Sequence, residues 1–249
     1  MISVVPEVLA LLSGRGGLRI SLLYSQGISL HDGPMNILLF GASGSAGGAV
    51  LSACLSTPLV QEVRAIVRRP LATNPKLRSV IHGDFLNYSP VAEAFDSIDA
   101  CLFCLGVSVT QVSKDEYRKI THDYTLAAAH MLQMRSPHAA FHYISGQGTG
   151  PSSRMFWSRV KAQTEIELID LLAADCWRPA FIDARPSSSL PKIFAVVYPV
   201  LRLLKPFRRL YVAGEDLGYA MLQATKENVR ARIFENPEIR DLAARFKSP

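Results

Sequence analysis

The stretch Met35-Asn36-Ile37-Leu38-Leu39-Phe40-Gly41-Ala42-Ser43-Gly44-Ser45-Ala46-Gly47 narrows the choice of fold more than any other part of the sequence. Its opening residues form a short, mainly apolar run, the pattern of a strand covered on both faces. Glycines at 41, 44 and 47 break the run, and Ala46 to Leu55 then reads as a helix. Gly41 permits the tight turn, Gly44 lets a ligand approach the backbone, and Gly47 lets the helix pack closely on the sheet. The helix N-terminus points unpaired N–H groups and a favourable dipole at the turn, which suits phosphate. A glycine turn of purely structural use is the alternative, and the strand and helix on either side weigh against it.

From Met35 onward, short apolar runs alternate with amphipathic ones. The apolar runs are Ile37–Phe40, Val63–Val67, Ser79–Ile81, Ala100–Leu105, Phe141–Ile144 and Ala180–Ala184. Ser113 followed by Glu116 is a capping box that predicts a helix through about Met134. Ser152 or Ser153 is expected to cap another helix, running through Lys161 to about Ala173. Glu215-Asp216 opens a further amphipathic segment with acidic residues in its first turn. Such alternation implies α/β architecture: a doubly wound, parallel, Rossmann-type sheet in one domain over residues 35–249, with a small C-terminal helical region on the substrate side. Ligands of these sheets bind at the carboxyl ends of the strands, near the switch in strand order. Of the 249 residues, 49% are hydrophobic and 19% charged, enough apolar material for one such core and too much for a disordered chain.

Residues 1–34 stand outside this pattern. Val4 to Leu12 is apolar but short, carries Glu7 and lacks a basic start, so it reads neither as a signal peptide nor as a membrane span. The expectation is an N-terminal extension, either loosely ordered or preceding a natural start at Met35. The formal charge of +6, with 27 Lys and Arg against 21 Asp and Glu, is spread out and forms no aromatic-interleaved stripe. That argues against nucleic acid and is compatible with an anionic small ligand. Four cysteines in no disulfide-dense arrangement fit a reducing compartment, and a cytoplasmic location is expected. Cys101 and Cys104 form a CxxC, but within the apolar run Ile98–Leu105, so they read as core thiols rather than redox or metal ligands. No metal site is expected.

In this fold the turn residues Gly41, Ser43, Gly44, Ser45, Ala46 and Gly47 are expected to hold the pyrophosphate of a nicotinamide dinucleotide. The second strand ends at Val67-Arg68-Arg69. An NAD enzyme usually has an acidic residue there for the ribose hydroxyls, whereas arginine suits a 2′-phosphate, so NADP is expected over NAD. Arg68 and Arg69 as solvated loop charges are the alternative. Asp84, after Val80-Ile81-His82-Gly83, either faces the adenine or caps a turn.

The spacing of the three glycines, Cys104-Leu105-Gly106, Tyr143-Ile144-Ser145-Gly146 and Arg159-Val160-Lys161 together resemble the atypical short-chain dehydrogenase/reductase superfamily. The nearest likeness is to its Tat-interactive protein type and to bacterial NAD-dependent epimerase/dehydratase-like relatives, over most of residues 35 to 245. The resemblance adds Gly106 to the cofactor-binding set. It also implies a catalytic Ser, Tyr and Lys, which fall on Ser145, Trp157 and Lys161. In such a set Lys lowers the Tyr pKa and holds the nicotinamide ribose, Tyr exchanges a proton with the substrate oxygen, and Ser orients that oxygen. Trp157 departs from the pattern, because an indole N–H donates a hydrogen bond but is no practical proton donor near neutral pH. Tyr143 shares strand parity with Ser145, which places both on one side. Tyr117 and Tyr124 read as packing residues and His122 as a surface residue. Arg185-Pro186 matches the superfamily's Arg-Pro turn, beyond which the substrate region begins. The apolar Leu190–Leu204, interrupted by Pro199 and followed by Lys205, Arg208 and Arg209, admits three readings. It is a lid over an apolar substrate such as a quinone, flavin or lipid, an interfacial membrane helix with basic anchors, or a core helix. Two functions follow: an NADP(H)-dependent oxidoreductase with an apolar or cofactor-like acceptor, or a non-catalytic NADP(H)-binding regulatory or assembly protein.

Overall fold

A computed structural model describes residues 33–184 and 201–248. Nine strands are present among them: β1 (Met35–Phe40), β2 (Val60–Val67), β3 (Leu77–Ile81), β4 (Ala100–Phe103), β5 (Ala140–Ile144), β6 (Asp175–Arg178), β7 (Phe181–Asp183), β8 (Tyr211–Ala213) and β9 (Ile233–Glu235). Seven form one sheet in the order β3-β2-β1-β4-β5-β6-β9, every pairing parallel. The order reverses at β1, so the switch point lies between β1 and β4, where the glycine turn emerges. The helices are α1 (Ser45–Ser56), α2 (Lys114–Arg118), α3 (Tyr124–Arg135), α4 (Phe156–Leu172), α5 (Gly214–Lys226) and α6 (Asn236–Lys247).

Helices cover the sheet on both faces, and β1 shows why the run Ile37–Phe40 is continuously apolar. Ile37 and Leu39 enter one buried cluster with Val50 of α1, Leu217 of α5 and Ile239 of α6. Leu38 and Phe40 enter the other with Phe103, Phe141, Leu132 of α3 and Leu168 of α4. From Ile37 to Phe40 successive residues serve opposite cores, so none of these four positions is left for a polar side chain. The cysteines belong to these cores: Cys54, Cys101 and Cys176 are buried and Cys104 is half-buried, all as free thiols. Burial pushes the Cys54 thiol up to about 12 and that of Cys101 well above its ordinary value. No described helix is long and apolar enough to cross a membrane.

Three local expectations need correction. The run Ala180–Ala184 supplies β7, which pairs with β8 outside the central sheet; the sixth sheet strand is the preceding Asp175–Arg178. Neither Ser152 nor Ser153 caps α4, which starts at Phe156 after an N-cap at Met155. The Ser153 hydroxyl instead accepts from the Met155 N–H (3.2 Å), shaping the turn ahead of the helix. The helix opened by Ser113 does accept its cap bond from the Glu116 N–H (3.2 Å), but a π-turn at Lys119–Asp123 divides it into α2 and α3. Residues 1–32 and 185–200 lie outside the described residues, and with them Arg185-Pro186 and most of Leu190–Leu204.

Beneath α5 lies a buried polar network. The Trp177 indole N–H donates to His142 Nδ1 (3.2 Å), which leaves the proton on Nε2, facing Thr225 Oγ1 at 2.8 Å. Burial pushes His142 down to about 3, so the imidazole is neutral. Asp175 accepts from the Arg232 N–H (3.1 Å) through Oδ1, while its buried Oδ2 has no hydrogen-bond partner and lies 3.7 Å from His142 Nδ1. Desolvation lifts Asp175 to about 7.

Candidate functional site

The turn between β1 and α1 is built around the Gly41 carbonyl. Gly41 has φ +76°, and a Cβ there would lie 2.5 Å from the Cys104 carbonyl oxygen at the end of β4. A Cβ on Gly47 would lie 2.1 Å from the Gly41 oxygen, and the Gly44 N–H donates to that same oxygen (2.9 Å). Side chains are therefore excluded at positions 41 and 47 by backbone, which cannot swing aside. Gly44 is the N-cap of α1; no side chain caps the helix, and its first turn carries no acidic residue. Ser43 and Gly44 are exposed, Ser45 and Ala46 half-buried. Ser43, Gly44, Ser45 and Ser52 line a cleft of about 620 Å³, whose far wall is Asp183 with Gly214 and Glu215 at the start of α5. On the α1 side the donor set is that of an anion cradle: backbone N–H groups, small hydroxyls and a helix N-terminus with no acidic residue in its own first turn, while Asp183, Glu215 and Asp216 stand on the opposite wall.

The other predicted cofactor residues stand along the same edge of the sheet. Phe40 pairs with Ile66, so Arg68 follows directly after the residue level with Gly41. Arg68 and Arg69 are both exposed. Asp84, past the end of β3, accepts from the Leu86 N–H (3.1 Å), so its carboxylate does cap a turn. Gly106, beyond β4, is exposed with open space where a Cβ would be.

Ser145, Trp157 and Lys161 converge on a second cleft, of about 500 Å³, at the end of β5. Lys161 reaches from α4 to donate to the carbonyls of Ile144 (3.2 Å) and Ser145 (2.5 Å). Desolvation lowers its ammonium to about 8, against a smaller opposing pull from Glu165. Ser145 Oγ lies 3.0 Å from Thr149 Oγ1, and Thr149 donates its own proton to the Gly146 carbonyl (2.8 Å). The Ser145 hydroxyl proton is thus directed at Thr149, and its lone pairs remain as acceptors. The Trp157 ring packs over Gly146 and Gly148, whose Cβ positions would lie 4.0 and 3.8 Å from it. Phe181, Leu204 and Leu210 complete an apolar wall.

Tyr143 is on the Lys161 side of the sheet, as parity predicts, with Lys161 Nζ 5.7 Å from its ring centroid. It is only 1% exposed, however, and burial drives its phenol far above the usual range, so it is sealed away from the cleft. Tyr117 is buried and Tyr124 stacks on Phe85 at 5.5 Å, both as packing residues. His122 is not a surface residue: it is buried in the π-turn, with Nδ1 2.7 Å from Asp123 and Nε2 3.2 Å from Glu167 of α4. Thr149, Phe181 and Leu210 were not anticipated from sequence. Thr149 sits in a loop without a recognisable pattern, and the other two arrive from strands and turns distant in the chain.

No family model matches the chain. Among curated proteins it is similar to Protein HTATIP2 of Rattus norvegicus, 24% identical over 139 residues that cover 55% of this chain and 57% of that protein. It is also similar to the mitochondrial protein FMP52 of Saccharomyces cerevisiae, 25% identical over 142 residues, 55% of this chain and 60% of that one. The chain thus spans less than two thirds of the length of either relative. Among solved structures, a short chain dehydrogenase family protein from Francisella tularensis matches with TM-score 0.60 at 12% identity, covering 81% of this chain and 96% of that one. The Bordetella bronchiseptica enzyme WbmF, solved in complex with NAD+, matches with TM-score 0.63 at 13% identity, covering 86% and 78%. At these identities the structural likeness is one of fold. The chain is thus similar in sequence to HTATIP2 and FMP52 and shares the Rossmann-type fold of the short-chain dehydrogenase structures.

Proposed function

We propose that the chain binds a nicotinamide dinucleotide, NADP(H) in preference to NAD(H), and acts as an oxidoreductase on an apolar or cofactor-like acceptor. The observation that carries this reading is the Gly41–Gly47 turn, which has no room for a side chain at positions 41 and 47 and leaves the α1 N-terminus uncapped for a pyrophosphate. Complexes of WbmF with NAD+ and of MoeE5 with UDP-glucose and NAD, proteins of the same fold, support a dinucleotide. Ser43, Gly44, Ser45 and Ala46 are assigned to the pyrophosphate, Arg68 and Arg69 to the 2′-phosphate, and Asp84 and Gly106 to the adenosine side. Nicotinamide, when bound, supplies hydride chemistry. Lys161, an ammonium below pH 8, is assigned to ribose hydroxyls, and the free lone pairs of Ser145 to a donor group of the acceptor, such as a flavin N–H. With Trp157 in the tyrosine position, the chain offers a hydrogen-bond donor rather than a proton there. An acceptor that takes its protons from water, a quinone or a flavin, fits this arrangement and the apolar wall.

A second reading, a non-catalytic dinucleotide-binding protein, is favoured by the same Trp157. NADPH oxidation measured against quinones, flavins and aldehydes separates the two. Turnover that disappears in Lys161→Ala supports the enzyme; tight NADPH binding without turnover supports the binding protein.

A further inference from the structure

Residues 202–210 cross the mouth of the second cleft with their backbone tied to the domain. The Gln147 amide donates to the Arg209 carbonyl (3.0 Å), Asn236 to the Arg208 carbonyl (2.7 Å) and Arg240 to the Lys205 carbonyl (3.2 Å). Two successive turns, Phe207 N–H to the Leu204 carbonyl (2.8 Å) and Leu210 N–H to the Phe207 carbonyl (3.0 Å), hold it compact. Yet the apolar side chains of this anchored stretch face outward: Leu203 is 72% exposed, Phe207 58% and Leu210 43%. A run of large apolar groups held in water by a fixed backbone marks a contact surface rather than a core element.

The charge around it identifies the partner. Arg202 pairs with Asp183 (3.2 Å) and Arg208 with Asp241. Lys205 and Arg209, both exposed and interleaved with Leu203, Phe207 and Leu210, have no carboxylate partner among the described residues. Apolar groups flanked by uncompensated Lys and Arg match the interface of an anionic bilayer: acyl chains accept Leu and Phe, and headgroup phosphates accept the cations. An acidic protein surface would satisfy the charge but does not call for the protruding Leu and Phe.

We propose that the 202–210 rim docks the protein peripherally on an anionic lipid surface. Because Leu204 and Leu210 also line the second cleft, docking turns its mouth toward the bilayer. The docking itself does not rest on the dinucleotide reading. It is tested by co-sedimenting the full chain with phosphatidylcholine vesicles, with and without phosphatidylglycerol, in the absence of nucleotide. The expected result is pelleting with the anionic vesicles that weakens with added salt. Lys205→Ala and Arg209→Ala should each weaken it about five-fold. Phe207→Ser should weaken it further while thermal unfolding and NADPH binding stay unchanged. Absence of pelleting, equal pelleting on neutral vesicles, or a Phe207→Ser variant that binds like wild type would overturn the proposal. Vesicle binding retained by a chain that fails to bind NADPH would overturn the dinucleotide reading alone.

Discussion

A Cβ on Gly47 would lie 2.1 Å from the carbonyl oxygen of Gly41, which interlocks the first turn of α1 with the end of β1. The Gly41 backbone is itself pressed against Cys104, just past β4, so it cannot retreat. Gly47→Ala should therefore destabilise the domain by about 1–3 kcal/mol, the usual cost of overpacking. It should also weaken NADPH binding more than ten-fold, on the order of 1.4 kcal/mol or greater. Urea denaturation and calorimetry check the two effects, and a variant that matches wild type in both contradicts the geometry of the turn.

Trp157 lines the same cleft as Ser145 and Lys161. Restoring a phenol with Trp157→Tyr should raise NADPH-dependent reduction of small carbonyl compounds, towards the roughly 10²-fold lower end of general acid catalysis. Trp157→Phe should not. Steady-state kinetics on both variants provides the comparison, and equal rates would place the chemistry outside this cleft.

On the proposed assignment of Lys161 to the cofactor ribose, its titration would link pH to both binding and stability. Its ammonium is lowered from 10.5 to about 8, so above pH 8 the native chain holds one proton fewer than the unfolded one. Its contribution to stability therefore rises with pH between about 8 and 10.5. Cofactor affinity should move the other way, falling as pH passes 8 and the charge is lost. Lys161→Met should abolish both dependences, and an unchanged affinity profile in that variant would remove Lys161 from the cofactor site.

His142 and Asp175 oppose one another. With His142 lowered from 6.5 to about 3, the unfolded chain binds the extra proton in that window, and stability falls on acidification. With Asp175 raised from 3.8 to about 7, the native chain binds the extra proton, and stability rises on acidification from 7 towards 3.8. Where the windows overlap, between 3.8 and 6.5, the pair contributes no net slope. Asp175→Asn should uncover the His142 slope, up to about 1.4 kcal/mol lost per pH unit on acidification. Urea midpoints measured across that range test it; no change in pH dependence relative to wild type would contradict the assignment.

The parts of the fold that sequence reveals are those where local pattern and tertiary role coincide. β1 reads as a doubly covered strand because Ile37 and Leu38 feed different cores. The glycine turn is legible because backbone proximity, not a distant side chain, demands glycine. β6 is hidden because Asp175 and Arg178 bracket it, and burial of a carboxyl such as Asp175 depends on Arg232, far along the chain. The start of α4 is hidden because Met155 carries no capping signal. Ser145 and Lys161 are found through family resemblance, whereas Phe181 and Leu210 reach the cleft only through tertiary packing. His122 reads as exposed until Glu167, on another helix, supplies its partner.

Whether the Gly41–Gly47 turn holds a dinucleotide is decided by calorimetric titration of the purified chain with NADPH and with NADH, repeated on Arg68→Glu. Saturable binding with NADPH favoured is expected, with loss of that preference in the variant. Failure to bind either nucleotide would contradict it.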